Sequence, residues 1–256
     1  MKPTMGGNID ISYTLLHTIM TCEYMYYLRY IKRIPLIESS SSVYGTAIHR
    51  TIKLAYDNNL KKDDIVKVFR QEWVQLASGK DVVFSHEKDY LNKLTLGQEL
   101  VAEYYDKFIK KGPSPKKVEY FIGRKDGIKI GKYNLVAVFD QITHDDRVID
   151  LKTGVKPTQN ELDLDLQFTI YSYAYRQIYG EEEKGLVLRH LGTMKDLTTT
   201  RTVGDFSILL NEVDKVESKI NSGVFLRNLD RDCSKCYFLN VCLGKEKQFG
   251  RYNKWS

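Results

Sequence analysis

The spacing of hydrophobic residues changes along the chain and divides it into a helical part and a sheet-forming part. In the first part apolar residues recur every three or four positions, which predicts amphipathic helices. These helices are expected at residues 12–32, 44–58, 63–78 and 86–110. A Gly-Pro-Ser-Pro stretch at 112–115 then marks the change from helix to sheet.

The second part of the chain alternates short apolar, β-branched runs with two further helices. We expect strands at residues 117–122, 127–130, 135–142, 148–151, 185–191 and 197–203. Helices are expected at 160–179 and 204–221. The helix at 160–179 would return the chain so that the strand at 185–191 joins the sheet in parallel. The pattern therefore predicts a mixed α/β fold.

One predicted hairpin carries charged residues where a buried strand would have apolar ones. Its strands, 135–142 and 148–151, flank a polar turn at 143–146 and contain Asp140 and Asp150. Residue 140 falls opposite 149 or 150, so the two carboxylates can converge at one end of the sheet. Side chains alternate along a strand, so Asp150 and Lys152 share one face.

Burying these charges unpaired would be costly. A divalent cation between the two acids, with Lys152 beside it, would remove that cost. The alternative is a salt-bridged hairpin, in which Asp150 pairs with Lys152 and Asp140 lies at a strand end.

Length and composition limit the class of protein. A chain of 256 residues allows one large domain or two small ones, and 42% hydrophobic with 28% charged residues is typical of soluble globular proteins. No apolar run approaches the roughly 18 residues needed to span a membrane. The first ten residues lack the basic start and apolar core of a secretory signal. We therefore expect a cytoplasmic protein without membrane association.

The net charge of +6 and the pI near 8.9 permit a polyanionic partner. Lysines concentrate at residues 107–117, where a solvated helix end and a phosphate contact are both open interpretations.

Tyrosines concentrate in the first helix and could stack on bases, although packing within the protein is the commoner role. They are Tyr24, Tyr26, Tyr27 and Tyr30.

Cysteines are few and unevenly placed. Cys233, Cys236 and Cys242 form a Cys-x2-Cys-x5-Cys cluster, and Cys22 lies near the opposite end of the sequence. In a reducing compartment such clustering indicates metal or iron–sulfur ligation more than disulfides. A structural zinc ion would use the same thiolates.

Three further polar residues stand out within predicted helices. His49 follows Gly45 by one turn, and this glycine leaves space for a backbone or a phosphate. Gln167 and Tyr171 are four residues apart and share one helix face. Each of these residues also has an ordinary structural interpretation as a surface or packing group.

Taken in order, these residues resemble the PD-(D/E)XK nuclease superfamily, and within it the RecB-like nucleases that carry an iron–sulfur cluster. Similar proteins include the CRISPR-associated RecB-like exonucleases and the nuclease domain of AddB. The matching motifs are Gly45-x3-His49, the first acid Asp140, the Asp-x-Lys-Thr-Gly signature at 150–154, Gln167-x3-Tyr171, and the cysteines at 22, 233, 236 and 242. Ser12-Tyr13-Thr14 and Cys22-Glu23-Tyr24 look like the family's opening helix.

The resemblance implies a restriction-endonuclease-like core with a central mixed β-sheet flanked by helices. It implies a single RecB-like nuclease domain over residues 1–256, with a helical segment at about 59–112, the nuclease core at about 113–203 and the iron–sulfur region at about 222–256.

The resemblance also assigns roles to residues. Mg²⁺ or Mn²⁺ would be held by His49, Asp140, Asp150 and the main-chain carbonyl of Leu151. Lys152 would position the attacking water or stabilise developing charge. Gln167 and Tyr171 would orient the catalytic groups and contact substrate. Cys22, Cys233, Cys236 and Cys242 would hold a structural 4Fe–4S cluster that joins the first helix to the C-terminal segment.

The expected function is a metal-dependent DNA nuclease, in particular a single-strand-specific exonuclease acting at DNA ends in recombination, repair or CRISPR-type DNA processing. The alternative is a catalytically silent DNA-binding scaffold that relies on a helicase, recombinase or integrase, since the chain has no Gly-x4-Gly-Lys-Ser/Thr motif. Two positions depart from the family pattern. Ala137 replaces a common glycine near the first acid, and Glu23 replaces a common proline after the first cysteine.

Overall fold

The computed structural model describes residues 9–79 and 82–245. Its helices follow the predicted ones closely, with two breaks. The first predicted helix is interrupted at Cys22, whose backbone is extended, and the helix at 160–179 is interrupted between Asp163 and Leu166. The helices are α1 Tyr13–Thr21, α2 Glu23–Tyr26, α3 Ser40–Asp57, α4 Lys62–Ala77, α5 Asp89–Tyr104, α6 Gln159–Asp163, α7 Leu166–Tyr179, α8 Val203–Ser222 and α9 Leu239–Cys242. One π-helical turn follows α2 at Tyr27–Ile31 and another follows α5 at Tyr105–Ile109.

The strands are β1 Asp10–Ile11, β2 Glu38–Ser39, β3 Val82–Val83, β4 Lys117–Ile122, β5 Lys129–Ile130, β6 Tyr133–Leu135, β7 Ala137–Ile142, β8 Arg147–Lys152, β9 Gly185–His190 and β10 Lys195–Thr199. Five of them form the main sheet in the order β10-β9-β8-β7-β4. β8 and β9 run parallel, and the other neighbours run antiparallel. The predicted parallel strand after the helical crossover is therefore confirmed, and the fold is a mixed α/β fold with helices flanking a central mixed sheet.

Two expectations about strands were wrong in detail, and three short strands were not predicted. The predicted strand 135–142 is two strands, because the chain changes sheets at Val136 and β6 pairs with β1 and β5. The strand expected at 197–203 ends at Thr199, since Thr202 and Asp205 form a capping box that starts α8. The two-residue strands β1, β2 and β3 were missed because so short a segment carries no hydrophobic period.

Helices cover both faces of the main sheet. On one face α1, α7 and α8 pack into a cluster that includes Val148 of β8, and we call these helices the α7 layer. On the other face α3, α4 and α5 pack into a cluster that includes Ile149 and Leu151, and we call these helices the α3 layer. The alternation along β8 therefore directs Asp150 and Lys152 toward the α7 layer.

Candidate active site

The side-chain alternation of β7 breaks at Asp140. Phe139 and Ile142 are three residues apart, yet both pack into the cluster of the α7 layer. Gln141 instead donates a hydrogen bond of 2.8 Å to Tyr104, which belongs to the α3 layer. Between β7 and β8 the register pairs Gln141 with Ile149 and Ile142 with Val148. Asp140 therefore lies where regular pairing with β8 ends.

Asp140 bridges the end of β8 and helix α3. Its Oδ2 accepts a 2.7 Å hydrogen bond from the backbone N–H of Leu151, and its Oδ1 lies 3.2 Å from Nδ1 of His49. The other ring nitrogen of His49, Nε2, lies 2.9 Å from the carbonyl oxygen of Leu151. Asp140, His49 and the Leu151 main chain thus form one closed set of contacts.

This set of contacts affects the charge of His49. Burial lowers the pKa of the imidazole, but the Asp140 carboxylate outweighs burial, and the pKa is raised to about 9. At neutral pH the ring is therefore protonated. It donates to Asp140 from Nδ1 and to the Leu151 carbonyl from Nε2.

Asp150 and Lys152 form an ion pair that two residues of α7 hold in place. Lys152 Nζ lies 3.0 Å from Asp150 Oδ2 and donates a 2.8 Å hydrogen bond to Gln167 Oε1. The amide of Gln167 donates to Asp150 Oδ1 at 3.2 Å and to the Tyr171 hydroxyl at 2.7 Å. Tyr171 donates to Asp150 Oδ1 at 3.1 Å. Gln167 and Tyr171, which the sequence places on one face of this helix, therefore contact both charged groups of the hairpin.

Burial shifts the protonation of this pair in a specific direction. It raises the pKa of Asp150, which Lys152 lowers and Asp140 raises again. Burial lowers the pKa of Lys152, but Asp150 outweighs it, and the pKa of the ammonium is raised. Burial also raises the pKa of Tyr171, with the two carboxylates adding to the shift. Tyr171 thus stays a hydrogen-bond donor.

The acids reach the site from different sides of the sheet. The sequence predicted two carboxylates and an ammonium on one face. Asp150 and Lys152 do share a face, but Asp140 contacts His49 of the α3 layer. The break in alternation at Asp140 is the physical reason, and it places the two acids around the end of β8 instead of side by side on one face.

The sequence model of the PD-(D/E)XK nuclease superfamily matches residues 10–243. The chain belongs to the PD-(D/E)XK nuclease superfamily. Its fold is similar to the crystal structure of a "Putative exonuclease" from Eubacterium rectale, with a TM-score of 0.58 and 13% sequence identity over 88% of this chain and 86% of that chain. At that identity the likeness shows the fold alone, and it agrees with a restriction-endonuclease-like core. No curated protein matches the sequence.

Within this PD-(D/E)XK fold, the donor atoms of the site are of the type that a hard divalent cation prefers, but among the described residues they are not arranged as a ready metal group. Among residues 9–79 and 82–245, no group of three or more His, Cys, Asp and Glu side chains is arranged so that it could hold a metal ion. Here His49, Asp140 and the Leu151 carbonyl are engaged with one another, and the proton on His49 supplies positive charge. Asp150 Oδ2 is buried and has the Lys152 ammonium at 3.0 Å, with no second donor among the described residues. Such a carboxylate oxygen, beside a carbonyl and a second carboxylate, is a ligand that a hard divalent cation prefers, and a cation here would compete with the Lys152 ammonium and the His49 proton.

A third acid near this site was missed by sequence reasoning. Glu119 of β4 has a positive φ of 43°, which is unusual for a residue other than glycine. The register pairs its neighbours Val118 and Tyr120 with Gln141 and Phe139, so Glu119 falls opposite Asp140. Burial raises its pKa, His49 lowers it, and Asp140 raises it. A charged residue between apolar ones in a predicted strand was the signal that could have found it.

Cys22 lies beside the segment that carries the other three cysteines, but among the described residues the cysteines do not form a ready metal-binding group. The four cysteines are half-buried and not in disulfides. Asn228 connects two of them, since its N–H lies 3.5 Å from Cys22 Sγ and its carbonyl lies 4.0 Å from Cys233 Sγ. Burial raises the pKa of Cys242, Arg227 lowers it, and Cys22, Cys236 and Cys233 raise it further.

The unusual Glu23 contributes to this arrangement. Its Oε2 accepts a 2.9 Å hydrogen bond from the Leu226 N–H, and its Oε1 lies 2.8 Å from Lys219 Nζ. The N–H of Tyr24 donates to the Leu226 carbonyl at 3.0 Å. A residue that departs from the family pattern therefore fastens the C-terminal segment beside Cys22.

The tyrosines of the first helical segment, and one of the lysines at 107–117, have structural roles. Tyr26 is buried, and Tyr24 and Tyr27 stack on each other at 5.6 Å, with Tyr27 also against Phe225. Packing thus accounts for these tyrosines.

Of the lysines near 107–117, Lys116 pairs with Asp146 at 3.0 Å at the hairpin turn, at the opposite end of β8 from Lys152. Among the described residues, no helix is both long and apolar enough to cross a membrane.

Proposed function

We propose that this protein is a Mg²⁺- or Mn²⁺-dependent deoxyribonuclease of the PD-(D/E)XK superfamily, acting as a single-strand-specific exonuclease at DNA ends. The observation that carries the proposal is the buried Asp150–Lys152 ion pair, held by Gln167 and Tyr171, with Asp140 within the same site. Nuclease membership rests on the family match, and single-strand and exonuclease preference is the expectation to be tested.

In this proposal His49, Asp140, Asp150 and the carbonyl of Leu151 hold the divalent cation. When bound, the cation would polarise the scissile phosphate and lower the pKa of a water molecule.

The side chains around this site have their own tasks. Lys152 directs its ammonium toward the developing charge of the phosphate, or toward the attacking water. Gln167 keeps Lys152 and Asp150 in a fixed relation, since its carbonyl oxygen accepts from one and its amide donates to the other. Tyr171 donates to Asp150 Oδ1 and leaves Oδ2 to the Lys152 ammonium or to a cation that replaces it. Asp140 binds the Leu151 N–H, which orients the Leu151 peptide.

We also propose that Cys22, Cys233, Cys236 and Cys242 hold a 4Fe–4S cluster with a structural role. The contacts of Asn228 and Glu23 support this, because they hold the two cysteine-bearing segments together. Iron and labile-sulfide analysis of anaerobically purified protein tests it, with a Cys236→Ser variant expected to lose both. Zinc without iron or sulfide would select a zinc site instead.

The test of the nuclease proposal uses single-stranded DNA labelled separately at each end, incubated with Mn²⁺, Mg²⁺ or EDTA. We expect metal-dependent cleavage that is lost in Lys152→Ala, with the two labels reporting polarity. A matched duplex with blunt ends and a circular single strand distinguish strand and end requirements. Cleavage of the circle would contradict the exonuclease assignment and leave the nuclease assignment intact.

A silent DNA-binding scaffold, working with a helicase, recombinase or integrase in recombination, repair or CRISPR-type processing, is the second candidate. The observation that favours it is that the described residues contain no ready-made three-donor metal group. Tight, metal-independent DNA binding without cleavage would select it.

A further inference from the structure

A groove beside the active site combines arginines, hydroxyl groups and an exposed aromatic ring. It lies between α1, the π-helical turn after α2, the start of α3 and the cysteine-bearing segment, and it has a volume of about 370 Å³. Its walls include His17, Arg29, Ser39, Ser42, Arg231 and Tyr237. None of these residues belongs to the catalytic set described above.

The groove is positively charged. Across residues 9–79 and 82–245, neither Arg29 nor Arg231 has a carboxylate partner. Arg29 lies over the ring of Tyr30 at 5.2 Å, and Arg231 Nη1 lies 3.5 Å from Met25 Sδ. One acid, the exposed Glu38, also lines the groove. The N-terminus of the 18-residue helix α3, capped by Ser39, adds partial positive charge. A polyanion is therefore favoured here.

The exposed ring gives the groove a second kind of contact. Half of Tyr237 is accessible to solvent, whereas Tyr26 on the neighbouring helix is 2% exposed. An accessible tyrosine beside arginines can stack on a nucleobase while the arginines bind the phosphates. Stacking of this kind requires an unpaired base, so the combination favours a single strand over a duplex.

Two helices connect the groove with the active site. Along α1 the ring of His17 lies 5.4 Å from that of Tyr13, and Asp165, Lys152 and Asp150 all influence the pKa of Tyr13, which burial raises. Along α3, Ser42 and His49 are seven residues apart and share one face, with about 10 Å between them at 1.5 Å per residue. A DNA strand bound in the groove would therefore reach the active site within a short distance.

We propose that this groove binds single-stranded DNA on its way to the Asp140–Asp150–Lys152 site, with Arg29 and Arg231 contacting phosphates and Tyr237 stacking on a base. The inference rests on the proposed nuclease function and assigns its substrate path. It also gives the C-terminal segment a role in substrate binding, since Arg231 and Tyr237 flank Cys233 and Cys236 in the sequence.

The test measures fluorescence anisotropy of a labelled single-stranded DNA in EDTA, so that binding is observed without cleavage. Tyr237→Ala should weaken binding about 5- to 100-fold, while Tyr237→Phe, which keeps the ring, should bind as wild type. Arg29→Gln and Arg231→Gln should each lower the slope of log affinity against log salt by about 0.7, the value for one phosphate contact to a single strand. Arg29→Lys should restore the slope. Arg70→Gln, an exposed arginine on α4 outside the groove, is the matched control.

The outcomes separate this inference from the nuclease proposal. If wild type cleaves DNA while the groove variants keep wild-type affinity, salt slope and KM, the groove assignment is overturned and the nuclease proposal stands. If the groove variants lose binding while wild type does not cleave, the groove assignment stands and the nuclease proposal fails. Equal affinity for an RNA strand or a duplex of the same sequence would overturn the assignment to single-stranded DNA. Arg29 lies on the π-helical turn after α2, outside the segment that carries Cys233, Cys236 and Cys242, so its variants keep the test valid if changes at Arg231 or Tyr237 disturb folding.

Discussion

The two ends of the β7–β8 hairpin carry similar charged pairs in different surroundings. At one end Asp150 lies 3.0 Å from Lys152, and at the turn Asp146 lies 3.0 Å from Lys116. The Asp150 side chain is 2% exposed and that of Asp146 is 34% exposed. Burial raises the pKa of Asp150, whereas hydrogen bonding to Lys116 lowers the pKa of Asp146. The two ion pairs have equal distances, but the pKa of Asp150 is raised and that of Asp146 is lowered, because water stabilises only the exposed Asp146 carboxylate.

A third acid shows that burial by itself is not decisive. Asp89 is 4% exposed, yet its pKa is lowered to about 2, because hydrogen bonds from Lys93, Ser40 and the Ser85 N–H outweigh burial. The Ser40 hydroxyl donates at 2.6 Å and the Ser85 N–H at 3.1 Å. Asp150 also has three donors, Lys152, Gln167 and Tyr171, but burial raises its pKa and the nearby Asp140 carboxylate adds to that shift. A second carboxylate nearby, more than burial or an ion pair by itself, therefore distinguishes the candidate catalytic acid.

The largest effect should come from neutralising the Asp150 carboxylate. Asp150→Asn should lower the rate of metal-dependent DNA cleavage at least about 100-fold, since it removes the carboxylate proposed to bind the cation. Asp145→Asn changes an exposed acid at the turn of the same hairpin and should keep a wild-type rate. Initial rates with end-labelled DNA in Mn²⁺ measure both. Equal losses in the two variants would end the distinction between the two ends of the hairpin.

A smaller loss is expected from the residue that joins the charged groups. Gln167→Ala should reduce the cleavage rate about 10- to 100-fold, as seen for outer partners of metal ligands, with DNA affinity in EDTA unchanged. Gln159→Ala is the control, because Gln159 contacts Asp163 and the Thr198 carbonyl away from the site. A full rate in Gln167→Ala would mean that Lys152 and Asp150 hold their positions without it.

The contrast with Asp89 predicts a pH-dependent effect on stability. The folded-state pKa of Asp89 is about 2, below the ordinary value of 3.8, so its stabilisation is present above about pH 4 and is lost as the pH falls toward 2. Asp89→Asn should lower the free energy of unfolding by on the order of 2 kcal/mol at neutral pH. Urea titrations of both proteins should show this difference shrinking as the pH falls from about 4 to about 2. A difference independent of pH would assign it to packing.

The smallest effect is expected at the turn. Lys116→Ala breaks an exposed ion pair with Asp146, and such pairs contribute little in water. The midpoint of thermal unfolding should not change measurably, and neither should the cleavage rate. A clear loss of cleavage would instead implicate the lysine-rich segment at 107–117 in binding DNA.

The sequence predicted most of the helices and the positions of the main strands along the chain, because these elements carry clear hydrophobic periods. It failed where a single residue decides the local geometry. The extended backbone at Cys22 interrupts a helix that the pattern shows as continuous, and the chain changes sheets at Val136 within an apolar run. Glu119 was missed because its importance depends on which strand lies beside β4.

The sequence by itself determined which chemical groups are available: two acids, a lysine and a Gln-x3-Tyr pair at spacings set by strand and helix periods. The tertiary structure decided how they meet. Asp140 reaches His49 and the Leu151 N–H because alternation in β7 breaks there, and Asp150 is held by Lys152 on one oxygen and by donors of α7 on the other. Such contacts join residues from 11 to 102 positions apart, and no local period encodes them. The sequence specifies the groups, and packing the two helical layers on the sheet sets their distances, burial and charge.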